Sequence, residues 1–483
     1  MSKRTTPGDY PKIEFGHTSN PDKSGFASSQ RLLNGYSEQA GKTAKAPLIV
    51  YATPGTSQFD DGSSGLTAPC RGMQYVYGQG LYAVFGQTCV LFDTDGNATL
   101  CTGIVPSSGM VTMADNQHSP PQVAIVADGN YLVLDTGTNT ITQPGLSTLP
   151  APNSVCFVDG YLVFSIPDAR IFHTNLNDAL TVNALAFAYA NSRSGGFQRI
   201  VTFRGALVCL KETSFEIWED VGTTPFAFGR IRADIDVGCI APQSVVDVAE
   251  TLCWVDQNGV VRQLTASEPA RISTHAVERA ITALAPDERA GLYGVYSQFN
   301  GHQFYALTSP YWTWEYDLAT SLWHERQSGG LPNWFAQGYA TFAGRQILGS
   351  NQDASLHYVD DSAFTESGNP YLFLAQSAPV HAFPRGLIFD EVNADIVPGV
   401  GIIGPDADAA NPQLMLDWSD DGGKTWRGGK TAQLGATGQR SRVARWHQLG
   451  SCGRNGRTFR LSASSSVLRG IFNANTRVRP IIG

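Results

Sequence analysis

The sequence has no long hydrophobic run, and this absence excludes several classes of protein. Within its 483 residues, no stretch of about 18 consecutive apolar residues occurs, which is roughly the length a membrane-spanning helix needs. The chain begins MSKRTTPGDYPKIEFG, which lacks the apolar segment of a signal peptide. We therefore expect no membrane anchor and no export by the secretory route.

Paired cysteines are also lacking, although the chain contains eight cysteines. None forms a CxxC pair, and several lie within apolar runs such as TCVLF, SVCFV, LVCLK and LCWVD. This placement favours buried, reduced thiols over disulfides or structural zinc, and it suits assembly in a reducing cytoplasm.

Charged residues are few, at 16% of the chain. Glycine and proline are frequent, with 50 and 26 residues. Many short strands joined by tight turns have this composition, so we expect an all-β fold. The charge is also uneven. Residues 424–483 contain twelve Lys or Arg and no acid, which leaves 22 basic and 42 acidic residues in the first 423, a net charge of −20. The sequence thus predicts a basic C-terminal domain on an acidic body.

A loose unit recurs between residues 59 and 366: a turn of small residues, a short apolar strand, a second turn and a strand with aromatic residues. It is seen as YGQGLYAVFGQTCVLFDTDG, VADGNYLVLDTGTNTI, FVDGYLVFSIPDARIFHTN, FRGALVCLKETSFEIWED, AETLCWVDQNGVVRQLT, FNGHQFYALTSPYWTWEYDLAT and FAGRQILGSNQDASLHYVD. Successive units lie about 30 to 50 residues apart, as blades of four strands do. We predict a β-propeller of six or seven blades; two packed sandwiches are the alternative.

A helical pattern interrupts these strands at residues 273–290. Apolar residues at Val277, Ala280, Ile281 and Leu284 follow one face of a helix. Ser273 or Thr274 can cap its start, and PDERAG predicts a second short helix that begins with proline. We expect a short helical insertion at the surface.

The two ends of the chain differ from the repeats. Residues 1–58 are rich in small and polar residues, and we interpret them as an extended arm that wraps or reaches a neighbouring subunit. Residues 367–483 contain longer strand patterns, which predict a basic β-sandwich.

One motif of the C-terminal region, SDDGGKTW, matches the pattern called the Asp box. Its residues are Ser419, Asp421, Gly423, Thr425 and Trp426. The Asp and Ser side chains can accept hydrogen bonds from turn amides, and glycine adopts the strained backbone conformation. The motif therefore predicts a structural hairpin.

Other polar clusters offer no chemistry. DTDGN at 93–97 has the start of a calcium loop without the rest, so a hairpin turn is the better interpretation, as it is for DQNG at 256–259. The acid pairs lie beside turn residues without a paired His or nucleophile; they are Asp234/Asp236, Asp360/Asp361 and Asp390/Glu391. HExxH, GxSxG and phosphate-binding motifs do not occur. We expect no catalytic residue, no metal and no cofactor.

Arginines concentrate near the C-terminus. Those predicted to lie on neighbouring strands are Arg440, Arg442, Arg445, Arg454, Arg457 and Arg460. Arginine forks bind carboxylates or phosphates, so this face could dock an acidic protein ring or contact DNA; a simply solvated face is the alternative. We favour the protein partner, since an acidic body repels DNA.

Several stretches together resemble one family of viral proteins. They are LNGYSEQAGKTAKAPLIVYATPGTSQF, FRGALVCLKETSFEIWED, the HAVERAI and APDERAG helices, and RVARWHQLGSCGRNGRTFRLSA. In this order, over most of the chain, they look like the packaged-DNA stabilisation proteins of short-tailed phages (podoviruses), the hub or nozzle at the head-to-tail junction.

The resemblance implies a structural protein of the virion tail, not an enzyme, assembled in the host cytoplasm. It implies a homo-hexamer that forms a ring below the portal and adaptor, extends the DNA channel and retains the packaged DNA until ejection. The implied partners are the adaptor (head-to-tail connector) ring, a tailspike or tail fibre, a tail needle or plug, and DNA that passes without sequence-specific binding.

Two other functions remain open at this point. One is a propeller-type glycosidase or depolymerase, which would need carboxyl groups about 5 to 9 Å apart in one pocket. The other is a host-surface receptor-binding tail protein, which would usually contain a coiled coil or β-helix segment; no such repeat occurs in the sequence.

Overall fold

The computed structural model describes residues 11–41, 43–60, 62–145, 149–266 and 268–481. The first regular elements are four short strands near the N-terminus. They are β1 Arg31–Leu33, β2 Gly35–Gln39, β3 Leu48–Ala52 and β4 Gly55–Gln58.

Seven antiparallel blades of four strands follow. Blade 1 contains β5 Cys70–Val76, β6 Gly80–Phe85, β7 Thr88–Phe92 and β8 Ala98–Leu100, and blade 2 contains β9 Thr112–Asp115, β10 Gln122–Ala127, β11 Asn130–Asp135 and β12 Thr140–Thr142. Blade 3 contains β13 Ser154–Val158, β14 Tyr161–Ser165, β15 Arg170–Asn175 and β16 Asp178–Tyr189, and blade 4 contains β17 Phe197–Phe203, β18 Ala206–Lys211, β19 Phe215–Asp220 and β20 Phe228–Ile235.

The remaining blades complete the ring. Blade 5 contains β21 Val246–Asp247, β22 Leu252–Val255, β23 Val261–Leu264 and β24 Pro269–Arg271, and blade 6 contains β25 Tyr293–Phe299, β26 His302–Thr308, β27 Thr313–Asp317 and β28 Leu322–Arg326. Blade 7 contains β29 Ala336–Phe342, β30 Arg345–Ser350, β31 Leu356–Asp360 and, as its outermost strand, β4. The prediction of an all-β propeller with six or seven blades is confirmed.

Apolar layers between neighbouring blades form the propeller core. In blades 1 and 2, for example, Tyr82 and Val84 pack with Ile125 and Leu132. Each blade has a neighbour on both faces, so its central strands are buried throughout rather than on alternate positions, as β10 shows. This explains why the sequence shows continuous apolar runs in these strands.

Two helices connect blade 5 to blade 6, where the sequence predicts them: α1 His275–Thr282 and α2 Pro286–Ala290. Thr274 caps α1, because its hydroxyl accepts a hydrogen bond from the Val277 amide at 3.5 Å. Val277 and Ile281 are fully buried against the blades. A 3-10 turn, Pro242–Ser244, precedes blade 5. Among the described residues, no helix is long and apolar enough to cross a membrane.

The C-terminal region forms a β-sandwich. Its elements are β32 Phe373–Gln376, β33 Leu387–Ile396, α3 Ala407–Ala410, β34 Gln413–Ser419, β35 Arg427–Gln433, β36 Ala444–Cys452, β37 Thr458–Ala463 and β38 Gly470–Pro480. One sheet has the order β2-β3-β38-β33-β36, and the other contains β1-β32-β37-β34-β35. Side chains such as Phe389, Trp446 and Leu461 fill the space between the sheets.

Strand β1 joins the two modules. It pairs parallel with β28 of blade 6 and antiparallel with β32, so blade 6 and one sandwich sheet form a continuous nine-stranded sheet. Arg31 on this strand forms an ion pair with Glu325 of blade 6 at 2.7 Å. The propeller and the sandwich therefore share backbone hydrogen bonds.

The expected extended arm over residues 1–58 differs from the structure. Residues 1–10 lie outside the described part, and residues 31–58 form four strands that pair within their own chain. The physical reason lies in the apolar patches of this segment, because Leu32 and Val50 are buried in the sandwich core.

Candidate partner interface

The predicted interface follows β36, an edge strand of the five-stranded sandwich sheet. Its side chains alternate: Ala444 and Trp446 are buried, whereas Arg445 and His447 are exposed. The exposed face of this edge therefore presents the polar residues of the strand.

Four of the six predicted arginines are exposed along this edge. Arg440 and Arg442 lie in the loop before β36, Arg445 lies on it, and Arg454 lies in the turn after it. Nine residues of extended strand span about 30 Å, so these four arginines form a strip rather than a single pocket. We call them the edge arginines. A strip of separated guanidinium groups suits a broad acidic surface better than one small ligand.

Arg457 is different, because it lies inside the sandwich. Its side chain is 2% exposed, and it forms an ion pair with Asp420 through contacts of 2.6 and 2.8 Å. It also donates to the Leu449 and Ser451 carbonyls and stacks on the Phe389 ring at 5.0 Å. Because these contacts engage the guanidinium within the chain, Arg457 stabilises the sandwich and is not part of an exposed docking surface.

Arg460 is also occupied within the chain. Its guanidinium contacts Asp417 at 3.0 Å and lies 4.1 Å above the ring of Trp426. The two aspartates that pair with Arg457 and Arg460 lie in or before the SDDGGKTW motif. The signal available in the sequence is the acidic cluster at 417–421, which directly precedes the segment without any acid.

The Asp-box residues form the turn between β34 and β35. The Ser419 hydroxyl donates to Asp421 at 2.7 Å and accepts from the Gly423 amide at 2.8 Å. Asp421 accepts from the Thr425 hydroxyl at 2.6 Å and from its amide at 2.9 Å, and these bonds hold the pKa of this carboxyl far below its usual range. Trp426 donates to the Gly423 carbonyl at 3.1 Å. The turn therefore holds in place the indole ring of Trp426, on which the Arg460 guanidinium packs.

Lys430 contacts the same edge of the sandwich, a contact that no sequence pattern indicated. Its ammonium donates to the His447 carbonyl at 2.6 Å, and its own carbonyl accepts from the Trp446 indole at 2.9 Å. Lys430 lies on β35 in one sheet, whereas both partners lie on β36 in the other. It therefore ties the two sheets together beneath the edge arginines.

One member of each acid pair considered as a candidate for catalysis has a structural partner. Asp236 pairs with Arg193, Asp390 pairs with Arg479, and Asp360 accepts from the Ser57 and Ser362 hydroxyls. The Asp93 carboxylate accepts from the amides of Asp95 and Asn97 at 2.9 Å, as in a hairpin turn. At Asp256, the carboxylate accepts from the Asn258 and Val260 amides. Among the described residues, no group of three or more His, Cys, Asp or Glu could hold a metal ion.

Solved structures similar to this chain are propellers of low sequence identity. Virginiamycin B lyase from Staphylococcus aureus is 12% identical, with a TM-score of 0.42, over 60% of this chain and 94% of the lyase. A streptogramin B lyase is 11% identical, with a TM-score of 0.43, over 65% and 98% of the two chains. The WD40 β-propeller domain of Doa1 is 10% identical, with a TM-score of 0.40, over 65% and 98%. At such low sequence identities and TM-scores, these similarities do not indicate a function for this chain.

Family models give a specific result, although no curated relative matches the chain. The β-propeller of bacteriophage P22 Gp10 matches residues 37–364, and the β-sandwich of the same protein matches residues 377–479. The two matches cover both modules in the observed order. The chain therefore belongs to the bacteriophage P22 Gp10 family and is a structural protein of the phage tail.

Proposed function

We propose that this protein is the tail hub, or nozzle, whose copies form a ring below the portal–adaptor complex and continue the DNA channel. In this position six copies retain the packaged DNA until ejection and carry a tailspike or tail fibre and a tail needle or plug. The observation that carries the proposal is the match of both modules to one phage structural family.

The charge distribution supports a role in docking. The edge arginines lie in a segment without any acid, whereas the remainder of the chain has a large excess of acidic residues. Opposite charges on two ends of one subunit favour head-to-tail contacts, and such contacts close into rings when the rotation permits.

We further propose that the edge arginines bind an acidic protein surface, on the adaptor ring or on a second copy, rather than DNA. The acidic propeller would repel the phosphate backbone, which suits a channel through which DNA slides without sequence-specific binding. A spread strip of arginines also matches a broad protein face.

Native mass spectrometry of the purified protein, alone and mixed with the adaptor ring of its virion, tests the hub proposal. We expect six copies to assemble on the adaptor. A stable monomer or trimer that ignores the adaptor would contradict the proposal, and sugar-cleavage assays would then test the glycosidase alternative.

Charge variants test the docking surface separately. Arg442→Ala/Arg445→Ala/Arg454→Ala should weaken assembly most strongly at low salt, because salt screens exposed charges. The matched control removes three arginines from the propeller surface, Arg193→Ala/Arg204→Ala/Arg345→Ala, and should leave assembly intact. Equal losses in both variants would refute a specific role of the edge arginines, and retained assembly with lost duplex-DNA binding would assign them to DNA.

A further inference from the structure

The innermost strands of the seven blades surround a central channel that contains two adjoining cavities. Their volumes are about 460 and 260 Å³. Both are lined by Gln74, Met113, Arg199, Val245 and Tyr339, which belong to blades 1, 2, 4, 5 and 7 or to the turn before one of them. These shared residues mark the place where the two cavities meet.

Arg199 is the one basic residue among the described residues that line either cavity. The pairing of β17 with β18 is irregular between Phe197 and Arg199, and a bulge of this kind re-aims the side chain that follows it. One end of the guanidinium is fixed by the turn before blade 5. Nη1 donates to the Pro242 carbonyl at 3.2 Å and to the Gln243 side-chain oxygen at 2.6 Å.

The other edge of this guanidinium has no partner in the described part of the chain. Nε is buried without a hydrogen bond, and no hydrogen bond is formed by Nη2. Nε and Nη2 together form the fork that binds a carboxylate through two parallel bonds. An arginine remains charged even where burial lowers its pKa, as it does here.

No carboxylate of the described residues lies within ion-pair distance of Arg199. Asp115 lines the larger cavity, but its carboxylate accepts from Gln74 Nε2 at 2.8 Å. Asp247 lies at the same cavity and is exposed. Arg199 is half-buried and its Nε is buried without a partner in the described part of the chain, so an anion that pairs with this guanidinium would stabilise the site.

We propose that the central channel binds a small monocarboxylate that carries hydroxyl groups, such as a uronic acid, with its carboxylate on the Nε/Nη2 fork of Arg199. Asp115 and Asp247 would repel a second negative charge, which disfavours phosphate dianions. Their oxygens, and the side-chain oxygen of Gln74, can instead accept hydrogen bonds from sugar hydroxyls.

The size and walls of the larger cavity fit this class of ligand. About 460 Å³ accommodates one or two sugar rings, and the aromatic residues Phe157 and Tyr339 are among the lining residues. Aromatic rings together with a few placed polar groups are the usual composition of a site that holds an amphipathic ring. This inference does not depend on the hub proposal, because it rests on the channel of a single propeller.

Titration calorimetry of the full chain at constant ionic strength tests the site, with sodium D-glucuronate, D-glucose, sodium acetate and inorganic phosphate as probes. We expect saturable binding of glucuronate in the millimolar range, weaker binding of acetate, and none of glucose or phosphate. Arg199→Gln should weaken glucuronate binding at least tenfold, and the matched control Arg204→Gln, in the exposed turn of the same blade, should leave it unchanged.

Three results would overturn the proposal: no saturable glucuronate binding by the wild-type chain, binding that Arg199→Gln leaves unchanged, or phosphate bound more tightly than glucuronate. Should Arg199→Gln fail to fold, Arg199→Lys keeps the charge but removes the fork. It should then bind glucuronate no better than acetate, and undiminished preference for glucuronate would refute the two-bond contact.

Discussion

Blades 1 to 6 and the remainder of the molecule are assembled in different ways. Each of the first six blades consists of strands that are consecutive in sequence, whereas blade 7 takes β4 from the N-terminal segment and each sandwich sheet combines strands from both ends of the chain. The first region can form from local hairpins. The second must bring together residues more than 300 positions apart, such as Arg31 and Gln376. Stability of the second region therefore depends on the N-terminal segment.

The largest expected effect concerns this dependence. A chain that lacks residues 11–58 loses the fourth strand of blade 7 and three strands of the sandwich, so we expect it to lose cooperative unfolding in circular dichroism and to aggregate. The matched control is a permuted chain in which the same residues follow residue 481 through a short linker. It should fold, because the Pro11 carbonyl already accepts from the Thr476 amide at 3.0 Å. Cooperative unfolding of the deleted chain would contradict this view.

A second test concerns a buried ion pair of blade 6, the blade that joins the sandwich. Arg326 contacts Glu315 at 3.0 Å, and both side chains are almost completely buried. Arg326→Leu leaves the Glu315 carboxylate without its partner and should destabilise the protein by about 3 to 5 kcal/mol in denaturant unfolding. Arg326→Leu/Glu315→Leu should restore most of this loss. A double variant as unstable as the single one would show that lost packing, and not the unpaired charge, dominates.

A third test uses acid. Burial lowers the pKa of His324 from 6.5 to about 4, and neither ring nitrogen has a hydrogen-bond partner within the described ranges of the chain. The unfolded chain therefore takes up a proton first as the pH falls, and folding stability should decrease by about 3 kcal/mol between pH 6.5 and 4. The neighbouring Asp317 and His302 form a hydrogen bond of 2.8 Å.

His302 acts in the opposite direction. Its bond to Asp317 raises its pKa, so its contribution is fully present below its unfolded pKa and is lost as the pH rises through the folded value. His324→Leu should flatten the loss of stability below pH 6.5, whereas a variant at the exposed His118 should not. An unchanged pH profile of His324→Leu would refute the assignment.

The smallest expected effect is confined to the Asp-box turn. Asp421→Asn weakens the bonds to Thr425 and should lower the hydrogen-exchange protection of the Lys424 and Thr425 amides, with little change in the melting temperature. Because the pKa of Asp421 is lowered, the wild-type turn should lose the same protection as the pH falls below about 4. The analogous change at the turn of blade 1, Asp93→Asn, should leave those amides unaffected.

Local patterns were sufficient for much of this molecule. Val277 and Ile281 follow a helical period and are capped by Thr274, so α1 was predictable. The Asp-box turn depends on side chains within eight residues of one another, and the blades repeat a hairpin whose turn and strands lie close in sequence. Such features are determined by short-range hydrogen bonds and periodic burial.

The arginine-rich segment shows where this approach fails. Arg445 and Arg457 look alike in sequence, yet one is exposed and the other buried with Asp420. Arg445 lies on the outward face of the edge strand β36, whereas Arg457 directly precedes β37, which lies between β32 and β34. Strand order depends on distant pairing, which a single sequence does not reveal.

By itself, therefore, the sequence determined the all-β class, the repeating blades, the helical insertion and the basic character of the C-terminal domain, because each follows from composition or from neighbours along the chain. Only the tertiary structure decided that β4 completes the seventh blade, that β1 joins the propeller to the sandwich, and that Arg199 in the central channel has no counter-ion among the residues the structure describes. The physical reason is that these arrangements depend on contacts between residues far apart in sequence, whose closure is governed by the packing of the whole chain.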